Sequence, residues 1–158
     1  MEKSLLEKCI KEEKLLQFDS FSHENALSLG LKILEMSKGY PGPVAIEITV
    51  NGLIVFRYYP DGTSEFHEMW LKRKSNMVRV REMSTLHVFA ELEYNNQDME
   101  KDWLLNPKEY AGCGGGFPIR LKNGSVIGSI CISGLPHLLD HEIMILGIQE
   151  YLNIYLDN

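Results

Sequence analysis

The stretch "AGCGGGFPIR", from Ala111 to Arg120, places three consecutive glycines, 114–116, directly before an apolar run with strand character. A dinucleotide fingerprint runs strand, glycine turn and helix, and a Walker loop needs Gly-Lys followed by Ser or Thr, so this stretch matches neither. Two interpretations remain open. The bare backbone could form an anion nest or admit a flat ligand, or the glycines could supply a bend or bulge that leads into the strand.

The strand that follows the glycines opens a predicted hairpin. Phe117, Ile119 and Leu121 alternate with polar positions, "KNGS" turns the chain, and "VIGSICIS" returns. An earlier hairpin is predicted where the alternating run from Val44 to Val50 meets Asn51-Gly52, a pair that favours a type I′ turn, and continues into "LIVFRYY".

Helical spacing fills the rest of the chain. The pattern predicts an amphipathic first helix, followed by a second helix that Ser22 caps and that carries an apolar stripe of Ala26, Leu27, Leu31 and Leu34. It also predicts a third helix over "SEFHEMWLKRKSNMV", a fourth after Ser84, and a last helix over 136–156. Hairpins separated by helices favour an α+β fold, in which helices cover an antiparallel sheet.

Length and composition limit the classes of function. The 158 residues are the size of one domain, predicted over 1–158 with the N-terminal helix at 1–17 and the remainder at 18–158. A net charge of −6 disfavours nucleic-acid and anionic-membrane partners. The sequence contains three cysteines, an odd number, and neither a signal peptide nor an apolar run of roughly 20 residues, so we expect a cytoplasmic protein.

"PHLLDHE" places His137 and His141 four residues apart, which puts both on one face of a helix at a usable metal-ligand spacing. No second ligand pair accompanies them, so no metal site is predicted. The alternatives are surface or subunit-contact histidines, with Asp140 and Glu142 offsetting the helix dipole, or one axial haem ligand.

Other reactive side chains do not form a catalytic set. Cys113 lies in the glycine stretch, but no neighbouring base would activate it, and no Ser/His/Asp order is visible. Catalytic residues are therefore unassigned. Five basic residues in "WLKRKSNMVRVR" could hold an acidic ligand or partner, or could form a solvated helix face.

The run "GCGGGFPIRLKNGSVIGSICISGLPHLLDHEIM" resembles the signature of the GlcG/HbpS-like superfamily, also called the haem-degrading-domain or PduO C-terminal-like family. "WLKRKSNMV" and "LPHLLDHE" resemble its uncharacterised UPF0303 branch. The resemblance implies a profilin-like or PAS-like α+β fold with a central antiparallel sheet, and association into homodimers or higher homo-oligomers. Haem or another tetrapyrrole is the ligand that it suggests, without an established reaction.

Two functions follow as hypotheses. The first is a small-molecule-binding module whose pocket is bordered by the glycine run and contacted by the basic helix and the histidine turn; its candidate residues are Lys74, Gly114, Gly115, Gly116, Phe117, Pro118, Ile119, His137, Asp140 and His141. The second is an oligomeric interaction or scaffold protein without catalysis, in which the same glycines and histidines serve folding and subunit packing.

Overall fold

The computed structural model describes residues 2–157, and within them five helices and four strands follow the predicted order. This arrangement confirms the α+β fold class. The elements are α1 (Glu2–Leu15), α2 (His23–Ser37), β1 (Ala45–Val50), β2 (Leu53–Tyr58), α3 (Glu65–Arg81), α4 (Thr85–Asn95), β3 (Gly116–Arg120), β4 (Val126–Ser133) and α5 (His137–Leu152).

The four strands form one antiparallel sheet in the order β2-β1-β4-β3. Both predicted hairpins are present. Asn51 (φ 49°) and Gly52 (φ 84°) have the positive φ values that a type I′ turn requires at both central positions. The hairpins join through β1 and β4, where Ile48 pairs with Ile130, so residues far apart in the sequence meet at the centre of the sheet.

Each face of the sheet packs against a different set of helices. Alternate side chains such as Ile46, Ile48, Ile130 and Ile132 enter the main core, which is completed by α2 and α5. On the opposite face, α3 contributes Leu71 to a smaller cluster with Ala45 and Cys131. Cys131 is fully buried there. The helix α3 therefore lies across the second face of the sheet.

Serine residues cap three of the described helices, and the caps at Ser22 and Ser84 were predicted. The Ser22 hydroxyl accepts a hydrogen bond from the Asn25 N–H, and the Asn25 side chain accepts one from the Ser22 N–H, which completes a capping box at α2. Ser64 caps α3 in the same way with His67, and Ser84 caps α4. These local bonds satisfy backbone donors that the first helical turn leaves unpaired.

The predicted apolar stripe of α2 was right for Ala26, which is buried, and for Leu34, which packs against the core, but the buried face is rotated away from Leu27 and Leu31. Leu27 and Leu31 are 50% and 53% exposed, whereas Leu29 and Ile33 are fully buried. Gly30 explains the rotation, because a Cβ at this position would lie 2.5 Å from Cε1 of Phe56. The aromatic ring of β2 takes the space of the missing side chain, and α2 packs with this face against the sheet.

The last helix is shorter than predicted. It ends at Leu152 because Asn153 adopts a left-handed conformation with φ 57°, so the prediction of helix to position 156 was wrong. Ile154 and Leu156 still pack against the core, but from a segment without helical structure. In the part of the chain from 2 to 157, no helix combines the length and apolarity needed to cross a bilayer.

Candidate functional site

A pocket of about 280 Å³ opens between α3, the segment before β3 and the start of α5. One wall consists of side chains from α3, and the opposite side is formed by the turn between β4 and α5. The lining residues are Phe66, His67, Trp70, Lys74, Cys113, Ser133, Gly134, Leu135, His137 and Asp140. The pocket thus combines aromatic side chains with several ionisable groups.

A buried ion pair lies at the base of this pocket. The Lys74 ammonium donates to the carbonyl of Ile132 at 2.6 Å and lies 3.3 Å from Oδ2 of Asp140, and both side chains are almost fully buried. Asp140 also accepts hydrogen bonds from the N–H groups of Gly134 and Leu135 at 3.3 and 3.0 Å. Burial raises the pKa of Asp140, while Lys74 and these backbone donors oppose that rise.

The glycine run packs behind the ion pair. At Gly115, with φ +121°, a Cβ would lie 2.5 Å from the Lys74 ammonium and 2.5 Å from the Ile132 carbonyl oxygen. At Gly114 a Cβ would collide with the His137 carbonyl and lie 3.2 Å from the Cβ of His141. Both glycines are therefore required by close backbone approach, and Gly115 also by its φ value.

His137 is held by the same run. Its Nδ1 accepts a hydrogen bond from the Gly114 N–H at 3.0 Å, and its ring stands edge-on to Phe89 with centroids 4.9 Å apart. Because Nδ1 accepts, the neutral ring carries its proton on Nε2. Partial burial, followed by the charges of Lys74 and His141, lowers the pKa of His137. This histidine is consequently a hydrogen-bonded neutral ring with a proton at its second nitrogen.

An aromatic wall stands at the mouth of the pocket. Phe66 is 62% exposed, and its ring meets that of Trp70 edge-on with centroids 6.4 Å apart. The guanidinium of Arg73 stacks over the Trp70 ring at 4.1 Å and donates to the Pro107 carbonyl at 3.1 and 2.7 Å. These contacts fix the indole in place, so the pocket presents a preformed apolar surface.

Cys113 lines the pocket but is not activated. Burial raises the pKa of its thiol, and the positive charges of Lys74 and Arg73 only partly oppose this effect. The neutral thiol is the expected form near pH 7. This geometry favours a binding role for the pocket over nucleophilic attack by the cysteine.

His141 belongs to a different environment. It is 1% exposed, and its Nε2 lies 2.8 Å from Oε1 of Glu12, which α1 supplies. The expectation that both histidines lie at a surface or subunit contact was wrong for His141, because α1 covers it. A haem ligand role for His141 would require this helix to leave its place.

The structure brings together only part of the predicted binding set. Lys74, His137 and Asp140 line the pocket. The glycines pack behind or beside it, and the N–H of Gly116 donates to the Thr85 hydroxyl at 2.9 Å. The remaining predicted residues point elsewhere: Phe117 and Ile119 lie in the main core, Pro118 is buried in the sheet opposite Ser129, and His141 faces α1.

Sequence reasoning missed the aromatic wall. Phe66, Trp70 and Lys74 stand four residues apart in sequence, so they share one face of α3. That spacing was the available signal for the wall, although apolar residues at the same spacing also occur on buried helix faces. The turn residues 133–135 gave no signal, because only the pairing of β4 and the position of α5 bring them to the pocket.

The basic run agrees only in part with the predicted solvated helix face. Lys72 and Arg79 are exposed, which matches a solvated helix face, whereas Lys74 is buried in the ion pair with Asp140. Arg81 pairs with Glu91 at 2.8 Å and stacks over the Trp103 ring at 4.0 Å. The run is therefore not a continuous basic surface.

A second, wider groove of about 910 Å³ lies along the other part of α3, over β1, β2 and β4. Its central charges pair internally: Arg57 donates to Glu47 at 2.9 and 2.6 Å and to Glu68 at 3.0 Å. Ser75 and Ser129 hydroxyls meet there at 3.1 Å. This groove lacks the exposed aromatic side chains that stand at the mouth of the smaller pocket, so it carries less of a binding signal.

Comparison with known proteins places the chain in a family. Residues 21–149 match the family described as "Haem degrading protein HbpS-like". This chain belongs to the HbpS-like family. It is 34% identical over 149 residues to the UPF0303 protein YE1367 of Yersinia enterocolitica, covering 94% of this chain and 89% of the relative. A UPF0303 protein of Yersinia pseudotuberculosis is 31% identical over 146 residues, covering 92% and 85%.

Several solved structures have the same fold as this chain. The crystal structure of Ybr137w superimposes with a TM-score of 0.87 at 25% identity, covering 98% of this chain and 94% of the other. A PduOC–haem complex gives a TM-score of 0.69 at 16% identity, covering 82% and 93%. HbpS gives 0.64 at 20% identity, covering 83% and 89%. At these lower identities the likeness concerns the fold alone.

Proposed function

We propose that this protein is a small-molecule-binding module whose pocket takes one edge of a flat tetrapyrrole, haem or a relative of it. The observation that carries the proposal is the exposed aromatic wall of Phe66 and Trp70 beside the pocket. Two comparisons support the choice of ligand: the description of the family refers to haem degradation, and one structure with the same fold is a haem complex.

Pocket size limits how such a ligand would sit. Sites that bury a drug-sized ligand measure about 300–1,000 Å³, and this pocket measures about 280 Å³. A tetrapyrrole would therefore be only partly enclosed, with the rest of its ring lying against Trp70 and Phe66. Stacking on a fixed aromatic side chain contributes about 0.5–1.5 kcal/mol beyond buried area.

Iron ligation fits the described pocket residues poorly. His137 uses Nδ1 to accept from Gly114, and His67 uses Nδ1 to accept from the Ser64 N–H at 3.0 Å. Each neutral ring therefore keeps its proton on Nε2, where an axial ligand needs a lone pair. Cys113 is a buried neutral thiol. We infer that recognition rests on the ring of the tetrapyrrole and not on its iron.

A titration with haemin and with iron-free protoporphyrin tests this proposal. Both are expected to give saturable absorbance changes with similar affinity, and both should lose about tenfold in affinity in Trp70→Ala. The matched control is Trp103→Ala, because Trp103 also stacks under an arginine but lies outside the pocket. Absence of saturable binding by either compound, or an equal loss in both variants, would overturn the proposal.

Homo-oligomer formation is the second candidate, and one observation favours it. Phe66 and Met69 are 62% and 46% exposed on α3, and Leu138 is 54% exposed at the start of α5. Exposed large apolar side chains of this kind are typical of contact surfaces. We expect an oligomer by size-exclusion chromatography with light scattering, dissociated by Phe66→Ser but not by Leu104→Ser, although Leu104 is 84% exposed. A wild-type monomer would contradict this candidate.

Residence in the cytoplasm, without nucleic-acid or membrane partners, is part of the same proposal and rests on the composition. The charge of −6 gives little electrostatic attraction to anionic polymers or lipid surfaces. Localisation of a tagged full chain and a filter-binding assay with duplex DNA and RNA would test it. Retention of nucleic acid at physiological salt would contradict the proposal.

A further inference from the structure

A cluster of three different metal-ligating side chains lies between α1 and α5, outside the pocket. Helix α1 supplies Cys9 and Glu12, three residues apart and therefore on one helix face, and the first turn of α5 supplies His141. One ligand atom from each residue lies within 4.8 Å of the other two. Their exposed fractions are 0%, 2% and 1%, so the cluster is enclosed by protein.

Hydrogen bonds among the described residues leave this cluster incompletely satisfied. Nε2 of His141 lies 2.8 Å from Glu12, but its Nδ1 is buried without a hydrogen-bond partner in the part of the chain from 2 to 157. The Ser84 hydroxyl hydrogen-bonds to the Cys9 side chain. Because Nδ1 has no partner among these residues, nothing there fixes the tautomer of the ring, and Nε2 can exchange its hydrogen bond to Glu12 for a metal ion.

We propose that Cys9, Glu12 and His141 bind a divalent transition-metal ion, and that Zn²⁺ matches the set best. Thiolate sulfur, imidazole nitrogen and carboxylate oxygen are the three donor types that zinc takes in proteins, whereas magnesium and calcium avoid sulfur. One thiolate and one carboxylate balance the two positive charges, which makes the buried site neutral. Water or the Ser84 hydroxyl is available for the fourth position of a tetrahedral ion.

Binding is an exchange of a proton for a metal bond. The Cys9 thiol gives its proton to solvent as the sulfur–metal bond forms. The hydrogen bond from His141 Nε2–H to Glu12 breaks, the ring loses the Nε2 proton to solvent and takes one up on Nδ1, and Nε2 then donates its lone pair to the metal. No oxidant or reductant takes part. Metal affinity should therefore increase with pH.

Location of the cluster indicates a structural role. The donors come from two helices, and Glu12 and His141 are separated by 129 positions in the sequence. Helix α1 covers the site completely. A metal would enter as α1 docks against α4 and α5, and would then hold the N-terminal helix in place. This site is separate from the pocket, so the inference does not rest on the proposed tetrapyrrole function.

Cobalt binding to the full chain, first stripped of metal with a chelator, tests the proposal. The expected result is one Co²⁺ per chain, a thiolate-to-cobalt charge-transfer band in the near ultraviolet, and displacement of the cobalt by zinc. Cys9→Ala should abolish the band, and Glu12→Gln should weaken cobalt binding at least tenfold. Cys131→Ala and Cys113→Ala are the matched controls, because one is an equally buried cysteine and the other a partly exposed one, and both should keep the band.

X-ray absorption at the zinc edge uses the wild-type protein, so its result does not depend on whether a variant folds. One sulfur and at least two nitrogen or oxygen ligands are expected. Zinc at a hundredfold excess over its Kd should raise the Tm by roughly 5–10 °C. A spectrum without sulfur, no change in Tm, or a cobalt band that survives Cys9→Ala and disappears in Cys113→Ala would each overturn the proposal.

Discussion

Asp140 and His141 are neighbours in the sequence, yet they serve two different regions of the molecule. Asp140 turns toward α3 and closes the base of the pocket with Lys74. His141 turns toward α1 and meets Glu12. Successive residues on a helix point about 100° apart, so a single turn of α5 can supply an acid to one buried site and a base to another.

The two buried sites differ in how completely their polar atoms are paired. Asp140 accepts from an ammonium and from two backbone N–H groups, and Lys74 also donates to a carbonyl. The His141 ring leaves one nitrogen without a partner among the described residues. A fully paired buried network stabilises one structure, whereas an incompletely paired one is suited to receive a further ligand.

Asp140→Ala should have the largest effect on stability. It leaves the Lys74 ammonium buried without a counter-charge and removes the acceptor of the two turn N–H groups, which should cost about 3–5 kcal/mol in the free energy of unfolding. Urea denaturation measures the loss. The control is Asp19→Ala, which breaks the exposed Asp19–Lys122 pair and should cost less than about 1 kcal/mol. Similar losses in both variants would show that the buried pair contributes no more to the free energy of unfolding than the exposed pair.

Gly115→Ala should disturb the same network from the backbone side. The new Cβ would occupy a position 2.5 Å from the Lys74 ammonium, at a φ value that an alanine rarely adopts, with a cost of about 1–3 kcal/mol. Thermal and urea unfolding provide the comparison with Gly39→Ala, whose Cβ would meet only the Met36 carbonyl at 3.7 Å. If Gly115→Ala were as stable as Gly39→Ala, the close packing described behind the pocket would be incorrect.

Glu12→Gln should have a smaller effect, confined to the α1 side. A neutral amide replaces the carboxylate opposite His141, and the weaker hydrogen bond should cost about 1–2 kcal/mol when a chelator is present. Hydrogen exchange should show faster exchange of the α1 amides while β4 stays protected. Glu35→Gln, which removes an exposed pair with Lys32 at 3.8 Å, is the control. Equal exchange in both variants would contradict a role of Glu12 in docking α1.

The smallest expected effect is a pH dependence from His137. Its pKa in the folded protein lies below the ordinary value of 6.5, because burial, Lys74 and His141 disfavour the charged ring. Below about pH 6.5 the unfolded chain takes up the proton first, so stability should fall as the pH falls and be fully present above that value.

Urea denaturation at about pH 7.5 and about pH 5.5 measures this contribution. His137→Gln keeps an acceptor for the Gly114 N–H and should reduce the loss of stability on acidification, whereas Leu138→Ala, a neighbouring exposed residue, should leave it unchanged. An unaltered pH dependence in His137→Gln would assign the effect to another group.

Local features of the sequence predicted the fold well. Serine caps, the Asn-Gly turn and the alternation of apolar residues each act over a few neighbouring residues, and all of them appear in the structure. The exceptions have tertiary causes. Gly30 rotates α2 toward the ring of Phe56, and the left-handed Asn153 ends α5 early, although apolar residues continue beyond it.

Of the candidate residues predicted from the sequence, Lys74, His137 and Asp140 line the pocket, whereas the glycines 114–116 pack behind or beside it. The aromatic side chains of the pocket wall were not predicted, because an exposed apolar residue on a helix has the same spacing as a buried one.

By itself, the sequence determined which elements form, the antiparallel hairpins and the family, since these depend on spacing and short-range hydrogen bonds. Only the tertiary structure decided that Lys74 meets Asp140, that Glu12 meets His141, and that Gly115 lies against the ammonium. These contacts join residues far apart in the chain. Burial in a medium of low polarity makes them strong, and no local pattern in the sequence records them.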